Sequence, residues 1–172
     1  MVAKKLLSSF LWLIFFIFLL PKISFSDSNS AYIEQVGIEN SAYIEQRGLK
    51  NFAEINQNGM LNDAKIEQIG FFNFASSYQS DFKNRSILIQ TGSNNYFSNY
   101  QTGNNNYSSV VENGIGNSIK ELQLGSYNSI YLNIFGNLNN IFALQSGSNL
   151  SYSLTHYGNG GNINIIQYNK FK

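Results

Sequence analysis

From Asn29 onward, apolar and polar side chains alternate in short runs, and the runs recur every 11 residues. In Asn40-Ser41-Ala42-Tyr43-Ile44-Glu45-Gln46-Arg47-Gly48, the residues Asn40, Ala42, Ile44, Gln46 and Gly48 fall on one face of an extended strand. Ser41, Tyr43, Glu45 and Arg47 fall on the other. A period of two predicts a strand of about six residues followed by a tight bend at glycine and asparagine, residue types that tolerate left-handed backbone angles. Eleven residues also fit three turns of a right-handed coiled coil. A glycine in every unit would cost such a helix ~1 kcal/mol each time relative to alanine, and the unit shows no period of three or four.

Glycine marks the phase at Gly37, Gly48, Gly59, Gly70, Gly92, Gly103, Gly114, Gly125, Gly136, Gly147 and Gly158, missing only at Asp81 and Asn169. Glutamine precedes it by two and asparagine follows it by three, as in Gln35 and Asn40, Gln46 and Asn51, Gln57 and Asn62, Gln68 and Asn73. The exceptions segregate by parity. Alternate units keep Gln35, Gln57, Gln79, Gln101, Gln123, Gln145 and Gln167. The intervening units keep Gln46, Gln68 and Gln90, then change to Glu112, Ile134 and His156. Two residues earlier the bias reverses: the second set stays aliphatic (Ile44, Ile66, Leu88, Val110, Leu132, Leu154), while the first turns polar at Ser77, Asn99 and Glu121. Substitutions that sort this way imply that each strand touches its copy 22 positions away, a stack of one supersecondary unit on itself.

The predicted fold is therefore all-β: a parallel β-solenoid with two strands per coil, a stack of β-arches built from 22-residue repeats, with a cross-β, amyloid-like mode of assembly. Residues 27–172 supply about six and a half coils, roughly 30 Å tall at the cross-β strand spacing. Inward columns are small (Ala31, Ala42, Ala53, Ala64, Ala75) and aliphatic (Ile33, Ile44, Ile55, Ile66). The glutamines above, with Asn40, Asn51, Asn62 and Asn73, are expected to form ladders with their own copies, satisfying amides that would otherwise cost ~1–3 kcal/mol each when buried. Gly37, Gly48, Gly59 and Gly70 are expected at the bends. The first coil, with Ala31, Ile33 and Gln35 in regular positions, offers an uncapped docking edge where a lone solenoid would carry a polar cap.

Residues 1–26 read as a separate object. Lys4 and Lys5 precede an apolar run from Leu6 to Leu20, then Pro21 and the small-residue site Ser24-Phe25-Ser26. This is the layout of a secretory signal peptide, and the run falls short of the ~20 residues that span a bilayer. Of 11 basic residues, Lys4, Lys5 and Lys22 would leave with it, so 8 face 10 acidic ones and the net charge becomes −2. No clustered positive charge favours nucleic acid. The chain has no cysteine, so a secreted form relies on burial and hydrogen bonds alone.

Chemistry-bearing constellations are sparse, and no catalytic residue, metal site or cofactor is expected. His156 is the single histidine and stands at a ladder position. Glu34, Glu45 and Glu67 share an outward position and read as a solvated face rather than an acid–base pair. Gly158-Asn159-Gly160-Gly161 falls at a bend and lacks the lysine and hydroxyl residue of a phosphate loop. Tyr32, Tyr43, Phe72, Tyr78 and Tyr100 suit sugar or surface binding, and equally exposed stacking between coils or lateral fibre contact. Asp81, Glu112 and Glu121 place charge inside the repeat, through neutral drift, a local change of register, or as brakes on aggregation.

The unit Asn-x-Ala-x-Ile-x-Gln-x-Gly, doubled to 22 residues, resembles the curlin repeat. Asn40 to Gly48 and Asn62 to Gly70 both match, and the resemblance extends from Asn29 to Gln167. It implies a secreted structural subunit of a curli-type functional amyloid fibre at the bacterial surface, active in adhesion and biofilm matrix. The implied partners are copies of itself, other curlin subunits and the outer-membrane secretion and anchoring machinery. Alanine in both strands of the early coils is more similar to the minor, nucleating curlin. The chain departs from the family where Asn29 is already in phase, without the usual non-repeat segment after the signal. It departs again where Phe97 and Ile119 replace alanine, and where Leu150 and Gly161 replace asparagine. The alternative function is a monomeric secreted solenoid binding a regular surface such as ice or polysaccharide, for which Thr91 and Thr102 are the available outward threonines in adjacent units.

Overall fold

The computed structural model describes residues 28–169. The expected signal segment, 1–26, lies outside the described residues, as do Lys170 and Lys172. Thirteen strands follow one another with bends of a few residues between them: β1 (Ser30–Ile38), β2 (Ser41–Leu49), β3 (Phe52–Met60), β4 (Asp63–Phe71), β5 (Phe74–Phe82), β6 (Arg85–Ser93), β7 (Tyr96–Asn104), β8 (Tyr107–Ile115), β9 (Ser118–Ser126), β10 (Ser129–Phe135), β11 (Asn140–Ser148), β12 (Ser151–Tyr157) and β13 (Asn162–Tyr168). Odd strands form a seven-stranded sheet in the order β1-β3-β5-β7-β9-β11-β13, and even strands form a six-stranded sheet in the order β2-β4-β6-β8-β10-β12. All pairings are parallel and join residues 22 apart, as in Ile33 with Ile55 and Ile44 with Ile66. The fold is the 22-residue β-solenoid that the parity of the substitutions predicts.

Most strands are nine residues long, longer than the six predicted, because the ladder runs on through the glycine corner. Gly37 pairs with Gly59, and Ile38 with Met60. Each corner has two left-handed residues. The glycines adopt φ between 100° (Gly103) and 157° (Gly114). The second left-handed residue stands two places after the glycine and is chemically unrestricted: Glu39, Lys50, Leu61, Phe72 and Tyr127 all have φ between 55° and 59°. This corrects the expectation that asparagine turns the chain. Asn40, Asn51, Asn62 and Asn73 come one residue later, and their amides are engaged in holding adjacent coils together.

Glycine is required by space as well as by angle. A Cβ on Gly37 would lie 1.8 Å from the carbonyl oxygen of Gly59, and one on Gly70 equally close to that of Gly92. The two exceptions to the glycine phase solve the corner alike. Asp81 (φ 74°) drops out of the backbone pairing with β7, and its Oδ2 accepts from the Gly103 N–H at 2.9 Å and the Thr102 hydroxyl at 3.0 Å. Asn169 Oδ1 accepts from the Ser148 N–H at 2.9 Å. In both, a side-chain oxygen takes over a role the backbone has elsewhere.

The core lies between the sheets. Ala53, Ile55, Ala64, Ile66, Ala75, Leu88, Phe97, Val110, Ile119, Ile130, Leu132, Ile134, Ile141 and Ala143 are fully or almost fully enclosed. The first coil differs because, among the described residues, no strand lies beneath it: Ile33 is 45% exposed, whereas its copy Ile55 is 0%.

Candidate functional site

The feature shared by every coil is a column of stacked amides. In the seven-stranded sheet, Gln35 Nε2 donates to Gln57 Oε1 at 2.7 Å, and the series continues through Gln79, Gln101, Gln123, Gln145 and Gln167 with every link between 2.7 and 2.9 Å. The six-stranded sheet repeats it from Gln46 to Gln68 to Gln90, where Glu112 receives the last donation at 2.8 Å. The second amide proton crosses between the sheets. Gln57 donates to the Ser41 carbonyl and Gln79 to that of Asp63, so each column glutamine from Gln46 onward also ties its strand to the start of the preceding one. Buried amides with both protons used carry little desolvation penalty.

Asparagines form the second column with the opposite sense. Asn51 Nδ2 and its backbone N–H both donate to Asn29 Oδ1, at 3.1 and 3.0 Å. Asn62 does the same to Asn40, and Asn73 to Asn51. Each Nδ2 also donates to the glycine corner one coil ahead: Asn40 to Gly59, Asn51 to Gly70, and Asn73 to Gly92. Asn62 reaches the carbonyl of Asp81. The column ends at Leu150 and Gly161, whose backbone N–H groups still donate to Asn128 and Asn139 but which bring no amide of their own. The ring of His156 accounts for the second substitution: its Nε2 lies 3.1 Å from Asn139 Oδ1, and a Cβ on Gly161 would meet the same nitrogen at 2.8 Å.

The middle coils enclose acids. Glu121 receives hydrogen bonds from Asn99 Nδ2 at 2.9 Å and from the Ser108 hydroxyl on the facing sheet. Ser77, Asn99 and Glu121 are stacked in register, and Ser86 and Ser108 occupy the column opposite. The polar substitutions are thus one spatial cluster, and β8 and β9 keep their 22-residue register throughout. Burial pushes the carboxyl of Glu112 up to about 8 and that of Glu121 up to about 7, partly offset by the donors named above. Among the described residues, Ser77 Oγ, Asn99 Oδ1, Glu112 Oε1 and Glu121 Oε1 are enclosed without a partner. A proton on either acid turns its orphan oxygen into a donor and removes a buried charge.

Outward side chains stack at coil spacing. Phe52, Phe74 and Tyr96 form a continuous ladder with centroids 5.1 and 5.0 Å apart, and Tyr78 lies 4.8 Å from Tyr100. Glu45 and Glu67 are adjacent like charges, each bridged by a cation on its own strand, Arg47 at 2.6 Å and Lys65 at 2.7 Å. Such exposed pairs add little stability. Glu34 accepts from the Tyr32 hydroxyl. Thr91 belongs to the six-stranded sheet and Thr102 to the seven-stranded one, so the two do not share a face. Among the described residues, no group of three or more histidine or acidic side chains is placed to hold a metal ion.

Among the described residues, the stack leaves four strands paired on one side only: β1 and β2 at one end, β12 and β13 at the other. Ala31, Ile33 and Gln35 lie exposed along β1. A family model described as the curlin associated repeat matches residues 27–48 and 37–70, the span of β1 to β4. Those matches support the curlin repeat family. No curated protein matches the chain. The curlin repeat is structural rather than enzymatic, and repeat and solenoid together fit a curli-type structural subunit. Beyond residue 70 the same coil continues with altered contents: the 11-residue spacing persists while alanine gives way to Phe97 and Ile119, and glutamine to Glu112.

Proposed function

We propose that the chain is a secreted structural subunit of a curli-type amyloid fibre at the bacterial surface, and that its first coil templates polymerisation as in a nucleating subunit. The observation that carries this reading is the exposed inward face of β1. Ile33 stands 45% exposed in the column that buries Ile55 completely, with Ala31, Ile33 and Gln35 all at their repeat positions and no charged residue in place of any of them. An open strand edge with apolar contents recruits further strands. The reading includes cleavage of 1–26, passage through outer-membrane secretion and anchoring machinery, other curlin subunits as partners, and a role in adhesion and biofilm matrix.

The test pairs a thioflavin time course on the purified 27–172 chain with a size measurement at low concentration. Fibres with a ~4.7 Å meridional reflection are expected. A chain that stays monomeric for days would sink the proposal and favour the surface-binding solenoid. The nucleating role is tested by substoichiometric addition to a major curlin subunit, where the lag should collapse; an unchanged lag would leave a bulk subunit.

A further inference from the structure

Thirteen described strands have a geometric consequence: β1 and β13 both belong to the seven-stranded sheet. Consecutive strands alternate between sheets, so each advances the stack by half a coil. At both ends the seven-stranded sheet projects half a coil past the six-stranded one. A second copy added in the same orientation would bring its β1 onto β13. Its β2 would then lie two strand spacings from β12, ~9.6 Å, leaving an empty slot over Leu154 and His156. A half-turn about the stack axis closes that slot. It exchanges the sheets and reverses strand direction together, so the incoming β1 lands parallel on β12 and β2 on β13.

Resting on the fibre reading above, we propose that copies of this chain dock head to tail with each rotated by half a turn, so that the seven-stranded sheet of one subunit continues into the six-stranded sheet of the next. The 11-residue phase, shared by both sheets, makes the exchange chemically acceptable. Ala31 would lie over Tyr152, Ile33 over Leu154 and Gly37 over Gly158, while Ala42 and Ile44 would cover Ile163 and Ile165. Gln46 would meet Gln167. Every glutamine column donates toward the β13 end. Gln167 Nε2 gives one proton to the Ser151 carbonyl and has a second to give, and Gln46 Oε1 accepts from no described residue. Head-to-head docking would set amide oxygens against each other. Successive subunits would be related by a half-turn and a rise of roughly 31 Å, six and a half strand spacings.

The chain has no cysteine, so the register can be read by disulfide formation. Tyr32→Cys and Ser153→Cys chains would be mixed, assembled and oxidised, beside a mixture of Tyr32→Cys and Asn164→Cys. In the half-turn arrangement Tyr32 lies over Ser153, one strand spacing away and within the Cα range of a disulfide. In the unrotated arrangement it lies over Asn164. Covalent dimer on a non-reducing gel, at least fivefold more from the Ser153 mixture, is the expected result, repeated with Glu34→Cys and Thr155→Cys. Fibres with the cross-β reflection that link Tyr32 to Asn164, or link neither pair, would overturn the half-turn while leaving the fibre reading intact. Absence of fibres from wild-type chain and variants alike would overturn both.

Discussion

The coils of β1 to β4 and those of β7 to β10 share one backbone but are filled differently. The early coils hold alanine and isoleucine between complete amide columns. The middle coils hold Phe97 and Ile119 in the alanine column, Asn99 and Glu121 in the isoleucine column, and Glu112 among the glutamines. The register is unaffected. Coil geometry is therefore set by the corners and the two amide columns, and the inward positions between them can change size and polarity if the facing column changes with them. Ser108 opposite Glu121 is such a pair. What differs is the stability ledger: of the early strands, β3 and β4 bury satisfied groups, and the middle ones bury two acids with one orphan oxygen each.

The strongest test of this contrast is at a corner. Gly70→Ala forces a Cβ into the Gly92 carbonyl and should cost at least ~3 kcal/mol, seen as a large drop in urea midpoint at low concentration. Asp81→Gly should move the midpoint upward, by ~1 kcal/mol, by relieving a left-handed aspartate. Equal effects of the same sign would refute the view that corners dictate the coil.

Filling comes next. Ile55→Ala, in the fully enclosed early column, should cost ~2–4 kcal/mol. Ala143 already occupies the equivalent place in β11, facing the region where Ile130 replaces a small residue, so Ala143→Ile should overpack and destabilise rather than restore the repeat. A stabilising Ala143→Ile would show that facing columns do not compensate.

The acids supply a pH test. Their folded pKa values, about 8 for Glu112 and about 7 for Glu121, lie above the ordinary carboxyl value of 4.5. Between those limits the folded chain holds protons that the unfolded chain has released. Stability is therefore fully present below pH 4.5 and is lost as pH rises toward 7 and 8, with a slope near ~1.4 kcal/mol per pH unit for each group inside its window. Glu112→Gln with Glu121→Gln should flatten the profile and, at pH 8, shorten the lag before fibre growth. A wild-type profile that is already flat would remove the acids from the argument. The smallest effect is expected at Leu138, exposed and left-handed with φ 56°: Leu138→Asn should stabilise by up to ~1 kcal/mol without altering the lag.

Much of this was readable in the chain because a stack repeats its own errors. Gln79, Gln101 and Gln123 persist where Glu112, Ile134 and His156 do not, and that split alone reports the 22-residue contact. The amide columns were equally visible as recurring Gln and Asn. Three features were not. The left-handed residue before each asparagine leaves no trace because Glu39, Leu61 and Phe72 are held there by the corner, not chosen for it. The contact of Ser108 with Glu121 spans 13 residues and crosses the sheets, a separation the repeat does not single out. Asp81 looks like a simple loss of glycine until its carboxylate is seen receiving the Gly103 N–H.

Each strand's hydrogen-bonding partner lies one constant chain distance away, whether at Ile33 or at Ile141. The loop closed when a coil forms is therefore of the same length everywhere, and its entropic cost does not grow with the number of coils already in place. Ordering can spread from any nucleus in equal steps, and duplication or deletion of one such segment would change the height of the protein without asking the remainder to fold differently.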